Sequence, residues 1–300
     1  MSADREPVAW PTGTAPVAVL MISLNEGHNM EEVCRNLAGW ASEVFLVDSY
    51  SRDDTVEIAL SHGVRVVQRR FNGFGEQWSF ALSSLPITAP WTMKLDPDER
   101  LSERLKKDIM RLISEGRADG IEVANRLWFM GRPLPKSQTL HQLRLWRTGS
   151  CRFSGVLVNE HPLVKGRVVR ASGELEHHDS PNLEHWFHKQ NRYTSDEAII
   201  RFSRQQLAAP PRLLGSPLER RMWLKKYFYR IPMRYTLLFW YLYAFKGAWR
   251  GGRTALIWAR LRIDVMRMVE FKETEMRIRG KATPRTMHGI GEPDPRVTQY

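Results

Sequence analysis

Only two cysteines, Cys34 and Cys151, occur in 300 residues. That is too few for a disulfide framework or a Cys-rich zinc site, so a reducing compartment is the expected home. The first residues lack the charged-then-apolar order of a leader. Asp4, Glu6, Pro7 and Pro11 precede Pro16, and export is not expected. No Gly-x-Gly-x-x-Gly follows the first apolar run, which disfavours a dinucleotide-binding domain. The uncharged run Tyr235 to Phe245 falls far short of the ~20 residues that a bilayer crossing needs. Acidic residues are scarce in the last third: residues 201–300 hold 21 Lys and Arg against 7 Asp and Glu, while residues 1–200 hold 24 against 26. The net charge of +12 is therefore a property of the C-terminal third, as expected of a segment facing a polyanion, either nucleic acid or an anionic membrane surface.

What is present begins with alternating strand and helix patterns. Val17 to Leu24 is a continuous apolar run of strand length, the signature of a parallel strand buried on both faces, and it stops at Asn25-Glu26-Gly27. A helix through Met30, Val33, Leu37 and Trp40 follows, then a strand from Glu43 to Asp48 that ends in a carboxylate. Ser49 to Asp54 is a turn in which Ser51 or Asp53 can cap the next helix, and Val64 to Val67 is a third strand. Such βαβ spacing predicts an α/β fold with a mostly parallel sheet. Arg69 to Gly75 is a basic, Gly-rich loop before a helix through Trp78 and Leu82, and Trp91 to Leu95 is a fourth strand.

That fourth strand leads into Asp96-Pro97-Asp98-Glu99. Carboxylates at the carboxyl edge of such a sheet sit where open α/β folds bind ligands, and their oxygens suit a hard divalent cation that can hold a diphosphate. The plain alternative is a helix entry, with Asp98 capping a helix through Leu101, Leu105, Ile109 and Leu112. The ends of the first, second and fourth strands should bring Asn25, Glu26, Asp48, Asp96 and Asp98 to one edge.

Four stretches carry a resemblance: Leu24-Asn25-Glu26; Val47-Asp48-Ser49-Tyr50-Ser51-Arg52-Asp53-Asp54-Thr55; Phe71-Asn72-Gly73-Phe74-Gly75-Glu76-Gln77; and Asp96-Pro97-Asp98-Glu99. In this order they resemble glycosyltransferase family 2, most of all its lipopolysaccharide-core glucosyltransferase-like branch, over most of residues 17–200. The resemblance implies a GT-A fold and a nucleotide-sugar pocket built from Asn25, Glu26, Asp48, Asp53, Arg70, Gln77 and Asp96. It further implies Asp96 and Asp98 on a Mg2+ or Mn2+ ion, and Glu160 as the base that deprotonates an acceptor hydroxyl. In relatives the stretch corresponding to Phe153 to Pro162 ends His-Glu; here Asn159 stands in place of that His, leaving His161 as a neighbour.

The acceptor half reads as strands at Gly120 to Asn125, Leu127 to Met130 and His141 to Trp146. Arg144, His161 and His178 are candidate pocket residues, with His177 an alternative to His178. His185 and His188 share a helix face but lack a carboxylate partner at helical spacing, so a metal site there is not expected. Beyond a Pro- and Gly-rich linker, two aromatic amphipathic segments framed by Lys and Arg follow: Met222 to Phe245, and Trp249 to Phe271. Trp223, Tyr235, Phe239, Trp240, Tyr243, Trp249 and Trp258 are the residues expected at a membrane surface. Their alternative is packing on the protein itself.

The expected organisation is a disordered stretch 1–15, a catalytic domain 16–206 (nucleotide-sugar half 16–118, acceptor half 119–206), amphipathic helices 207–280 and a disordered tail 281–300. The expected activity is a metal-dependent inverting transfer from a nucleotide-sugar, UDP-linked by expectation, to a lipid-linked or lipopolysaccharide-core acceptor. The enzyme would sit peripherally on the cytoplasmic face of the inner membrane, with pairing between copies through the C-terminal helices and no nucleic-acid partner. Two rivals stand beside it: a polyprenyl-phosphate glycosyltransferase, whose phosphate acceptor needs no base, and a non-catalytic RNA- or lipid-binding protein.

Overall fold

A computed structural model describes residues 8–153, 162–203, 210–283 and 292–300, in two compact units. The first draws on residues 1–127, 139–178 and 288–300, the second on residues 128–138 and 179–287.

In the first unit β1 (Ala15–Ser23), α1 (Gly27–Leu37), β2 (Ala41–Asp48), α2 (Thr55–Ser61), β3 (Arg65–Gln68), α3 (Phe74–Ser84) and β4 (Trp91–Lys94) alternate as the periodicity predicts. After them come β5 (Glu99–Leu101), α4 (Glu103–Ser114) and β6 (Gly120–Phe129), whose far end turns into β7 (Arg132–Pro133). Then follow β8 (Leu140–Arg147), β9 (Cys151–Phe153), β10 (Pro162–Val164) and β11 (Val168–His178), with β12 (Thr298–Gln299) from the far end of the chain. The main sheet runs β12-β3-β2-β1-β4-β8-β6-β11-β5. Its first five strands are parallel, and β8 turns antiparallel against β4. A small separate sheet pairs β9 with β10.

The apolar run of β1 is continuous because both its faces are covered. Val17, Val19 and Met21 join one core with Met30, Val33 and Leu37 of α1 and Leu105, Ile109 and Leu112 of α4. Ala18 and Leu20 join a second core, on the other face, with Trp78 and Ala81 of α3. Side chains alternate along a strand, so a central parallel strand needs apolar residues at every position. Chain order reverses where β1 meets β4, since β2 and β3 lie to one side and β4 to the other. In open α/β sheets ligands bind beyond the strands' carboxyl ends at such a switch point.

Two ends depart from expectation. Residues 8–15, expected disordered, lie against β2: Trp10 Nε1 and Gly13 N both donate to Ala41 O, at 2.9 Å each. Residues 292–300, expected disordered too, carry β12, which pairs in parallel with Val67 and Gln68 of β3. The pattern over residues 120–130 suggests two strands, but Gly120–Phe129 is one; Met130 and Gly131, with φ of 52° and 71°, form the turn into β7.

The second unit holds this hairpin end, α5 (Leu183–Phe202), α6 (Pro217–Tyr227), α7 (Arg234–Trp240) and α8 (Gly252–Arg279), with a π-helical turn over Tyr241–Phe245. A capping box starts α6, in which the Ser216 side chain accepts from Glu219 N and the Glu219 carboxylate accepts from Ser216 N. α8 runs past its expected end at Phe271 to Arg279 because it packs along α5. Ala198 meets Val269 and Met276, Arg201 pairs with Glu273 at 2.6 Å, and Lys272 donates to Asn191 O, Thr194 Oγ1 and Ser195 Oγ at 2.7–2.9 Å. Among the described residues no helix is long and apolar enough to cross a membrane.

Candidate active site

The acidic cluster stands beyond β4, at the switch point. Asp98 is no helix cap: Leu101 belongs to β5, and the helix that follows is capped by Ser102, whose hydroxyl accepts from Leu105 N. The turn is held internally, since Glu99 N donates to Asp96 O at 2.9 Å and Asp96 N to the Glu99 carboxylate at 3.0 Å. Arg100 fixes it from beneath by donating to Pro97 O and to Asn29 O of α1, at 2.6 and 2.9 Å.

Four groups converge on this turn. Arg144 of β8 lies between Glu99, at 2.5 Å, and Asp96, at 3.3 Å. Asn125 of β6 donates to the same Glu99 oxygen at 2.5 Å. His177 of β11 places Nε2 3.1 Å from an Asp98 oxygen, and His178 N donates to Asp98 O at 2.8 Å. Burial pushes the Glu99 carboxyl up to about 7; the Arg144 guanidinium opposes that shift and Asp96 adds to it. Burial disfavours the Arg144 cation, but the Glu99 and Asp96 charges outweigh it and hold its pKa above the ordinary value.

The imidazole beside Asp98 is that of His177, not of His178, the preferred candidate from sequence. Residues 176 and 178 share one face of β11, and the His178 ring lies 3.4 Å from Glu176 instead. The expected Asp96 and Asp98 pair is also divided: Asp96 faces Arg144, while Asp98 faces His177. A carboxylate oxygen and an imidazole nitrogen at this spacing fit a divalent cation. Asp179, a further carboxylate, follows two residues after His177 in the chain.

The rim beyond β1 and β2 is knitted by backbone-to-side-chain bonds. Asn25 N donates to Ser51 Oγ at 2.8 Å, Arg52 N to Asn25 Oδ1 at 2.8 Å, Glu26 N to Thr55 Oγ1 at 2.8 Å and Gly27 N to Asp53 Oδ2 at 2.9 Å. Asn25 and Tyr50 adopt left-handed φ values of 58° and 60°. Asn tolerates that conformation, whereas at Tyr50 it stores strain of the sort found at binding sites.

Asp48 lies beneath the rim. It is fully buried and accepts from Ser23 Oγ (2.8 Å), Ser51 Oγ (2.5 Å), Ser51 N (2.9 Å) and Gln68 Nε2 (2.8 Å). Gln77 is equally buried: its Oε1 accepts from Arg69 Nη1 at 2.8 Å and its Nε2 donates to Ser49 Oγ at 3.2 Å. Both are expected from sequence to bind the nucleotide-sugar; in the structure their hydrogen bonds go to Ser23, Ser49, Ser51, Gln68 and Arg69, beneath the loop 49–53. Asn25 and Glu26 are half-buried and Asp53 is exposed, and Arg70 is exposed while its neighbour Arg69 is the one tied down. Trp78 is core, under the Lys94 ammonium 4.5 Å from its ring centre.

Glu160 and His161 lie outside the described residues. Asn125 and Gln68 are absent from the expected site, and His177 enters it only as the alternative to His178. His177 had a signal, the paired histidines closing a period-two strand; Asn125 and Gln68 had none, because their partners lie far away in sequence. In the second unit Trp223, Tyr235, Phe239, Tyr243 and Trp258 are half-buried, and Trp240 and Trp249 are exposed. Tyr235 is drawn in because its hydroxyl donates to Glu270 of α8.

Residues 18–158 match the family model for glycosyl transferase family 2. An uncharacterized glycosyltransferase of Rickettsia prowazekii is 24% identical over 196 residues, covering 61% of this chain and 66% of that protein, so the chain spans about two thirds of that relative's length. The lipopolysaccharide core biosynthesis glycosyltransferase LpsC of Rhizobium meliloti is 26% identical over 252 residues, covering 81% of this chain and 86% of LpsC. Among solved structures, the mannosyltransferase PcManGT of Pyrobaculum calidifontis, in complex with GDP-Man and Mn2+, is 14% identical, with a TM-score of 0.49 and 90% of each chain covered.

Proposed function

We propose that this chain, whose residues 18–158 match the family model for glycosyl transferase family 2, moves a sugar from a nucleotide-sugar to a hydroxyl of a saccharide acceptor, with inversion at the sugar carbon. The observation that carries this reading is the acidic turn Asp96–Glu99 at the carboxyl end of β4, its Asp98 and Glu99 buried and His177 beside Asp98. Asp98 and His177 are the residues that would hold Mg2+ or Mn2+. When bound, that cation offsets the charge developing on the departing diphosphate.

The chain's own groups do the rest. Arg144 and Asn125 hold Glu99, and Glu99 holds the backbone of Asp96, so the Asp98 carboxylate is presented without rearrangement. Asn25, Glu26 and Asp53 line the rim on which a nucleoside would rest. Glu160 is the proposed base, accepting the acceptor's proton as its oxygen attacks opposite the leaving diphosphate. The relation to LpsC over most of this chain supports a lipopolysaccharide-core saccharide as the acceptor class. Exposed Leu237, Trp240, Phe245 and Trp249 in the second unit, with the basic surplus of residues 201–300, support docking on an anionic membrane face.

The test is nucleotide release from UDP-, GDP- and ADP-sugars with Mn2+ or Mg2+ and a detergent-dispersed lipid acceptor. The Asp98→Ala variant should lose activity on the order of 100-fold or more, the equivalent of several kcal/mol at the transition state, with an unchanged melting profile. Metal-independent turnover that survives the substitution would overturn the reading.

A further inference from the structure

The segment 292–300 is built onto β3, next to the strand that leads into the rim. β12 pairs with β3 through Thr298 opposite Val67 and Gln299 opposite Gln68, and Tyr300 N donates to Gln68 O at 2.9 Å. More telling is what it does to the Gln68 side chain, which is buried. Asp294 N donates to Gln68 Oε1 at 2.7 Å, with Gln299 Nε2 at 3.4 Å from the same oxygen. An amide whose oxygen is held by donors must turn its NH2 the other way, and there Gln68 Nε2 donates to Asp48 Oδ2 at 2.8 Å. Reversed, Gln68 would set its oxygen against a buried carboxylate.

A second route leads from the same segment to the same loop. The Tyr300 ring meets the Phe80 ring edge-on at 4.9 Å. The Arg69 guanidinium lies over that ring at 5.0 Å and donates to Gln77, which in turn donates to Ser49. One route ends on Asp48, which orders Ser51, and Ser51 receives Asn25 N. The other ends on Ser49. Both converge on the loop 49–53.

We propose that residues 292–300 are a strap that positions the donor-binding rim through Gln68 and Phe80, so that docking of the strap sets how tightly a nucleotide is held. Asp294, Gln299 and Tyr300 are positioning residues; none needs to touch the ligand. The nucleotide part rests on the reading of the rim as a donor site, whereas the coupling of strap to rim does not.

Two measurements test it on the full chain, a chain ending at residue 292 and Gln68→Met. Amide hydrogen exchange reads the coupling without any ligand. The Ser51 and Arg52 amides should exchange roughly 10-fold faster or more in both variants, as expected for loss of local protection, while Val19 and Leu46 stay unchanged. Adding a peptide of residues 288–300 to the shortened chain should restore slow exchange, but not to Gln68→Met. Binding of UDP, GDP and ADP with Mn2+ reads the consequence: whichever the parent binds should bind about 10-fold more weakly to both variants, a difference near 1.4 kcal/mol. Exchange at Ser51 and Arg52 within twofold of the parent overturns the strap, as does a uniform rise that includes β1 and β2. Should the shortened chain not fold, Gln68→Met alone decides. A parent that binds none of the three nucleotides counts against the donor reading and leaves the exchange result to decide the strap.

Discussion

Arg144 has 4% of its surface exposed and two carboxylates within reach, Glu99 at 2.5 Å and Asp96 at 3.3 Å. Removing one side of a buried pair leaves the other charge without compensation, so Arg144→Ala should destabilise the protein by about 3–5 kcal/mol, read as a shift of the urea midpoint. A loss under ~1 kcal/mol, the range of an exposed pair, would mean that water reaches the site. Glu43 shows the opposite pKa direction. Burial works against its ionisation, but donation from Thr88 Oγ1 (2.7 Å), Ala89 N (3.0 Å) and Thr88 N (3.0 Å) outweighs it and holds the carboxyl below its usual range. A depressed carboxyl contributes stability above its unfolded pKa that is lost as pH falls through the folded one. Glu43→Gln should therefore cost about 1 kcal/mol at pH 7, and the gap to the parent should close as pH drops below the ordinary carboxyl range of about 4.3. A gap that stays constant down to pH 3 would place the stabilisation elsewhere than in the charge.

At the scale of elements, the crossing of α4 over β11 depends on one missing side chain. A Cβ on Gly173 would stand 2.3 Å from Leu105 Cα and 2.4 Å from Leu105 N, both backbone atoms of α4. The helix would have to lift off the strand that carries His177. Gly173→Ala should cost roughly 1–3 kcal/mol, as overpacking does, and should weaken Mn2+ binding as well. Full-strength metal binding in a destabilised variant would show that α4 and the site are independent. Periodicity made α1 and α4 legible, because a helix with one buried face announces it every three or four residues. It could not show β5, a three-residue strand inside what reads as a helix entry, because Leu101 pairs with Leu175 across a long separation in sequence. β12 was hidden for the same reason: two residues in a Pro- and charge-rich segment carry no strand signal until β3 offers an edge.

At the scale of the molecule, charge and exposed aromatics make a testable whole. The chain should sediment with anionic vesicles at low salt and lose most of that binding by 0.5 M NaCl, where screening is strong. A Trp240→Ala, Phe245→Ala double variant should weaken it about 10-fold or more, given the area of the two rings. Equal binding to neutral vesicles, or no effect of the double variant, would return these helices to a role in packing alone. For α5 and α8 packing is already the finding, since their facing sides are taken up by Val269, Met276 and the Arg201–Glu273 pair.

By itself the sequence determined the alternation of strands and helices, the parallel build of the first half and the acidic turn after β4, because apolar period and strand-end chemistry are local properties. It also determined where the positive charge lies. Only the tertiary structure decided that Asp48 and Gln77 are braces beneath the rim, that His177 rather than His178 stands beside Asp98, and that the end of the chain returns to β3. Each of those depends on which partner fills a buried hydrogen bond, and such partners are chosen by the fold across separations that no spacing pattern records.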